Sequence, residues 1–313
     1  MKKFLLAALS VALFAGSASA EIAKETYIYN ITEQQDTLRL DYYSSNCDSA
    51  APLIIFAFGG SFRTGSRDAS VYLPYFEFLT EHGYDVASID YRTTMSSFDP
   101  STGLIGFAIA LQKAITTAVT DLYSATDYLI RNADALNIDT NRIIVSGSSA
   151  GAITALQAEN LLSTGSQLAT MLPGDFNYAA VISFAGAVCA AGTPKWNVEK
   201  ICPMLLFHGD IDTTVPYDGI DAGGFGLYGS KFISNQLSDI DVAHELYVIN
   251  QADHSVATSP MSENLWDILS FLHEFVDNHA KRVTVVNQSQ PGAPKDYNTK
   301  FSLMDYINSN MPH

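Results

Sequence analysis

Residues 142–156 read RIIVSGSSAGAITAL, a β-branched run that meets Gly147-Ser148-Ser149-Ala150-Gly151 and then turns helical. A serine flanked two positions away on each side by glycine, set between a strand and a helix, specifies a sharp turn. That turn forces Ser149 into a strained backbone geometry, and the glycines leave room where a Cβ would strike the strand or the helix. The pentapeptide alone is weak, arising by chance in roughly one chain in ten of this length. Its surroundings strengthen it. Ile143, Ile144 and Val145 read as a strand buried on both faces. Residues 150–160 read as a helix whose N-terminal N–H groups and partial positive charge point at the serine and favour an oxyanion beside it.

The first twenty residues read as a processing signal: Lys2 and Lys3, an apolar run Phe4 to Ala15, then Ala18-Ser19-Ala20. This is the pattern of a secretory signal peptide cleaved after Ala20, and it predicts export to the periplasm or beyond the cell. No later segment offers about twenty unbroken apolar residues, so no stable membrane insertion is expected. The mature chain would keep 313 − 20 = 293 of the 313 residues, and a 47% hydrophobic content is ample for a core. Loss of Lys2 and Lys3 leaves 15 of the 17 basic residues against 33 acidic ones, a net charge near −18. Such a surface excludes nucleic acid and anionic membranes, which need a positive face. Cys47, Cys189 and Cys202 show no CxxC spacing and are too few for a zinc cage. At most one disulfide forms, with Cys189 and Cys202 the leading pair, although strand geometry separates them unless the intervening loop folds back.

Residues 25–31 and 37–43 alternate partially and form an expected antiparallel hairpin at the sheet edge. PLIIFAF at 52–58 is a buried central strand running into Gly59-Gly60. Residues 71–82 form a helix, and YDVASIDY at 84–91 the next strand. Leu111, Ile115, Val119, Leu122 and Leu129 share one face of a long helix. Residues 179–184, 204–207 and 245–249 are further buried strands, and Leu265 to Val276 has helical spacing. Strands alternating with helices and no Pro/Gly-rich linker give one α/β domain over 21–283, with a mostly parallel sheet of about eight strands flanked by helices. Residues 284–313, NQSQPGAPKDYN among them, have loop composition and are read as a surface-hugging or disordered tail.

A serine hydroxyl needs a base within hydrogen-bond reach and a third group to orient that base. In an open parallel sheet these belong on loops leaving the carboxyl ends of strands. Strand 204–207 runs into His208, Asp210 and Asp212; strand 245–249 runs into Asp253 and His254. On spacing alone, either Asp210 or Asp212 can serve as the acid. His208 lies beside the acids, so a packing role at the strand end suits it better than that of base.

FHGDIDTTVPY at 207–217 resembles the HGxxDxxVP segment of α/β-hydrolase esterases, whose triad acid maps to Asp212; the family's base, on the loop before the final helix, maps to His254. The order Ser149, Asp212, His254 is that of the family. Phe58-Gly59-Gly60-Ser61-Phe62 resembles the HGGG(F/W) loop of secreted carboxylesterases and hormone-sensitive-lipase-like enzymes, with Phe58 in place of histidine and Ser61 in place of a third glycine. Tyr84 to Arg92 resembles the family's GyxVxxxdYR strand. The resemblance spans about residues 52–276. It implies an α/β-hydrolase fold and an acyl-enzyme mechanism, with backbone N–H groups of Gly60, Ser61 and Ala150 as oxyanion hole, and no metal or cofactor.

The chain is thus expected to be an exported serine carboxylesterase acting on short acyl or aryl esters, small or attached to polysaccharide as acetyl and feruloyl groups are. A lipase on longer chains and a non-catalytic binding module on the same fold are the competing readings. Phe62, Phe225 and Tyr228 are the candidate substrate contacts, the last two on a glycine-rich loop at 218–229. Residues 101–112, STGLIGFAIALQ, are either a lipid-binding lid or the opening turns of the long helix.

Overall fold

The computed structural model describes residues 23–221, 224–292, 294 and 296–310. The expected signal peptide and its cleavage point lie outside the described residues. The strands are β1 (Glu25–Ile31), β2 (Thr37–Tyr43), β3 (Ala51–Ala57), β4 (Asp85–Ile89), β5 (Ile138–Ser148), β6 (Ala180–Phe184), β7 (Ala187–Ala190), β8 (Met204–Gly209), β9 (Gly219–Asp221), β10 (Gly226–Gly229), β11 (His244–Ile249) and β12 (Val283–Gln288). The helices are α1 (Leu73–Glu81), α2 (Gly103–Arg131), α3 (Ala133–Leu136), α4 (Ala150–Ser163), α5 (Ser230–Asp239), α6 (Pro260–Glu263), α7 (Leu265–Phe271), which continues as a π turn to Asp277, and α8 (Leu303–Asn310).

Nine strands form one sheet in the order β1-β2-β4-β3-β5-β6-β8-β11-β12. Only β2 runs against the others, pairing antiparallel with β1 and β4. The apolar runs lie in the middle because they have no wet face: β3, β4, β6 and β8 are buried at every residue. The nucleophile strand β5 sits between β3 and β6. Two parallel steps away, β8 and β11 pair over His244–Ile249, so the three loops expected to carry chemistry open on one edge of the sheet.

Helix α4 leaves β5 directly and is buried on nearly every side. Alanines and glycine on this helix let it lie close to the sheet, with α2 outside it; the Tyr123 hydroxyl of α2 donates to the Ala158 carbonyl at 2.6 Å. Helix α2 is long and apolar enough to cross a membrane by length and composition, yet Ala114, Ile115, Ala118, Val119 and Leu122 pack into the core. Residues 101–112 therefore supply mainly the opening turns of this continuous helix. At the start of the same helix Ile105 is 78% exposed.

Three expectations change. The chain beyond residue 283 is not structureless. Val283–Gln288 adds a ninth strand, parallel to β11, because Val283, Val285 and Val286 have strand propensity and β11 would otherwise present an open edge. The glycine-rich stretch at 218–229 holds β9 and β10, which join β7 in a separate three-stranded sheet. Finally, Cys47, Cys189 and Cys202 are all free thiols.

Glu159 of α4 is completely buried and accepts the Cys202 N–H at 3.0 Å. Burial pushes its carboxyl up to about 8, against the weaker opposing pull of the Cys202 hydrogen bonds. The sign follows from linkage. The unfolded chain releases this proton near the ordinary carboxyl pKa, whereas the folded chain holds it until about 8. Stability is therefore present at low pH and is lost across that window, at about 1.4 kcal/mol per pH unit. Glu159→Gln, which mimics the protonated acid, is expected to gain thermal stability over wild type progressively from pH 5 to pH 8 and then hold a constant difference. A melting-temperature series at matched ionic strength checks this.

Candidate active site

The turn between β5 and α4 places Ser149 at φ 51°, ψ −115°, a region ordinary side chains avoid and one associated with functional strain. Close packing maintains it. A Cβ on Gly147 would come within 2.3 Å of the Gly151 backbone, and one on Gly151 within 2.0 Å of the Ala57 carbonyl oxygen of β3. The Ser149 N–H donates to the Phe184 carbonyl at 2.9 Å, which fastens the turn to β6.

His254 opens a short 3-10 turn after β11, whose N-terminus is capped by the Asp253 carboxylate accepting the Ser255 N–H at 3.0 Å. Its Nε2 lies 2.8 Å from Ser149 Oγ and its Nδ1 2.6 Å from Asp212 Oδ2. A carboxylate can only accept, so Nδ1 carries the proton and donates to Asp212, leaving Nε2 to accept from the serine hydroxyl. The Ser148 hydroxyl, next to the nucleophile, donates to the Ala257 carbonyl at 2.8 Å and ties the base loop to the elbow.

Asp212 is 2% exposed. Its Oδ1 accepts the N–H groups of Thr214 at 2.8 Å and Val215 at 3.0 Å. Burial alone would raise its pKa, but the hydrogen bonds from His208 and His254, and the attraction of either imidazole once protonated, outweigh burial and hold the carboxyl well below the usual range. It remains an anion able to orient His254 and stabilise its protonated form. His208 is a fully buried support: Nε2 donates to the Val215 carbonyl at 3.1 Å and lies 3.5 Å from Asp212 Oδ2, while Nδ1 accepts from the Ser230 hydroxyl at 2.7 Å. Asp210 points elsewhere. Its Oδ1 accepts the Gln251 N–H at 2.6 Å and its Oδ2 the Tyr297 hydroxyl, so it anchors the C-terminal segment and makes no contact with the base.

The loop after β3 turns through left-handed conformations at Ser61, φ 53°, and Phe62, φ 57°. Where the resemblance leads one to expect histidine, Phe58 stacks on Tyr91 with ring centroids 4.4 Å apart, and the Tyr91 hydroxyl donates to the Phe58 carbonyl at 2.8 Å. An aromatic stack thus supports the loop. Nearby, Arg92 clamps the buried Asp121 of α2, with Nη2 to Oδ1 at 2.7 Å. Ser61, Phe62, Ser149 and Ala150 line one pocket of about 30 Å³, together with Met95, Phe107, Leu111, Ile153 and Val215. Gly60 shapes the turn behind that lining. Phe225 and Tyr228 do not line the pocket. Tyr228 belongs to β10, with its hydroxyl on Asp221 at 2.9 Å and its ring against Phe232, because this stretch pairs as a sheet rather than reaching over the serine.

The lining residues that escaped the sequence reading include Tyr306 and Asn310 of α8. A local signal was present: Ser302 and Asp305 form a reciprocal cap, Ser302 N–H to Asp305 Oδ2 at 2.8 Å and Asp305 N–H to Ser302 Oγ at 3.2 Å. A serine followed three residues on by an acid is a helix-start signature.

The family model described as BD-FAE, an α/β-hydrolase esterase family, matches residues 40–189, from the edge strands through the nucleophile elbow to β7. The described fold is similar to that of a thermophilic esterase from the planctomycete Thermogutta terrifontis with propionate bound, at 19% identity and TM-score 0.58, covering 80% of this chain and 94% of that one. The same organism's esterase 2 phosphonylated by cyclosarin is 20% identical, TM-score 0.59, with 82% and 95% covered. A butyrate-bound form is 18% identical, TM-score 0.58, with 80% and 94% covered. No curated protein sequence matches the chain. The chain has the α/β-hydrolase fold. Ser149, His254 and Asp212 form on that fold a hydrogen-bonded set with the chemistry of a nucleophile, its base and an orienting acid.

The two neighbouring acids separate cleanly by experiment. Asp212→Asn is expected to lower kcat on p-nitrophenyl acetate by about 10⁴-fold, through loss of the productive tautomer of His254. Asp210→Asn should cost far less. The kcat/KM of the two variants on one ester checks the assignment, and a larger loss at Asp210 would reverse it.

Proposed function

We propose that this α/β-hydrolase is an exported carboxylesterase that cleaves short acyl or small aryl esters, free or carried on polysaccharide, through an acyl-enzyme on Ser149. The Ser149 hydroxyl attacks the ester carbonyl while His254 Nε2 takes its proton; the N–H groups of Ser61 and Ala150, with Gly60 behind them, receive the oxyanion. His254 then protonates the leaving alcohol, and water completes the cycle by the same route.

The observation that carries the short-chain reading is the size of the pocket beside Ser149. At about 30 Å³ it has room for a water or two, whereas sites for larger ligands run to roughly 300–1,000 Å³. An acetyl-sized group suits it and a fatty acyl chain does not. The propionate-bound and butyrate-bound esterase 2 structures point the same way. The excess of acidic residues, 33 against 17 basic, disfavours anionic esters and anionic lipid surfaces. Export rests on the Lys2 to Ala20 pattern. The complete triad speaks against a non-catalytic module, which has no need of two hydrogen bonds aligning a base on a strained serine.

A p-nitrophenyl ester series from acetate to palmitate tests the reading, run beside acetylated xylan and methyl ferulate. The kcat/KM is expected to peak between two and six acyl carbons and to fall beyond. A fluorophosphonate probe should label Ser149 in wild type and not in Ser149→Ala, which should lose at least about 10³-fold in activity. A kcat/KM still rising at ten carbons would contradict the short-chain assignment.

A further inference from the structure

We infer that Tyr306, on the C-terminal helix α8, is the wall that sets the acyl-chain limit of the pocket; this rests on the esterase reading above and adds the residue that determines its specificity. Most of the pocket lining comes from the fixed parts of the fold. Ser61 and Phe62 belong to the loop after β3, Ser149, Ala150 and Ile153 to the elbow and α4, Phe107 and Leu111 to α2, and Thr214 and Val215 to the loop after β8. The remaining side is closed by Tyr306 and Asn310, some 50 residues beyond the last triad member. Tyr306 is 6% exposed, with its ring edge-on to Phe107 at 6.1 Å and to Phe301 at 6.4 Å. It is the bulkiest side chain that α8 contributes to the lining.

Helix α8 is seated by contacts that fall on both flanking loops and bypass the reacting groups. Asn310 Nδ2 donates to the Thr214 carbonyl at 2.9 Å, and the Ser309 hydroxyl to Thr213 Oγ1 at 3.1 Å. Arg63 Nη2 donates to the Asn310 carbonyl at 3.4 Å, with its guanidinium over the Phe98 ring at 5.8 Å. Upstream, the Tyr297 hydroxyl reaches Asp210, and Gln251 Nε2 donates to the Pro294 carbonyl at 2.6 Å. None of these bonds involves Ser149 or His254, and the triad hydrogen bonds are intact beneath the helix. That arrangement fits a side wall better than a plug. With the wall in place, an acyl group that outgrows the pocket meets the phenol ring.

The test compares kcat/KM on p-nitrophenyl acetate, butyrate and octanoate for wild type, Tyr306→Ala, Tyr306→Leu and Tyr306→Phe. One methylene accepted or rejected by an apolar pocket is worth about 10–200-fold, so the octanoate-to-acetate ratio is expected to rise at least tenfold in Tyr306→Ala. It should rise less in Tyr306→Leu, which also serves if the alanine variant fails to fold. Tyr306→Phe, which keeps the ring, should leave the ratio within twofold of wild type. Stoichiometric fluorophosphonate labelling of each variant establishes that the site is formed. A labelled alanine or leucine variant with an unchanged ratio overturns the wall and leaves the esterase reading standing. An equal rise on all three esters also overturns it, because that is the behaviour of a cover over the site. A wild type that hydrolyses none of the esters and resists the probe would overturn the esterase reading first and the wall with it.

Discussion

The site depends on how closely α4 approaches the sheet. Gly151 lies against the Ala57 carbonyl of β3 and Gly147 against the first turn of α4, so the chain can pass from strand to helix only through the unfavourable backbone of the residue between them. Strain of this kind costs about 1–3 kcal/mol, and it is sustained by a helix and strands buried on almost every side. The strain raises the hydroxyl above the sheet edge and leaves the first amides of α4 beside it. The raised hydroxyl and the amides beside it thus have a single origin, and either glycine replaced by alanine would disturb both.

A second constraint is the division of labour between two carboxylates separated by one residue. Along the turn after β8, Asp210 and Asp212 face different ways. Asp212 is turned inward, where two backbone amides and two imidazoles surround it. Asp210 is turned toward the Gln251 amide and the Tyr297 hydroxyl. The same turn therefore orients the base on one side and retains the C-terminal segment on the other. His208, fully buried, joins this turn at Val215 to the start of α5 at Ser230.

The central architecture was legible because it rests on strong local patterns. Apolar runs such as 52–57 and 204–207 have only one plausible environment in a soluble chain, and the strand-to-serine-to-helix order leaves little freedom. The acid was less legible, since Asp210 and Asp212 carry the same chemistry and only the direction of the turn separates them. The glycine-rich 218–229 stretch was misread because glycine lowers strand propensity, whereas its pairing depends on β7, about 40 residues upstream. Strand β12 was hidden by half exposure and by loop-like neighbours. Helix α8 was hidden by its brevity, although Ser302 and Asp305 marked its start.

One feature of the C-terminal segment bears on how the molecule fails under stress. Strands β3, β4, β6 and β8 are buried at every residue, whereas the contacts of α8 among the described residues are a few side-chain bonds and the inserted Tyr306 ring. Segments with few buried contacts open locally at much lower free energy than the whole domain. In dilute denaturant or near the lower edge of the melting transition, α8 would detach while the sheet, the elbow and the triad stay folded. Discrimination between substrates would then decay before turnover does, so the enzyme would become less selective before it became inactive.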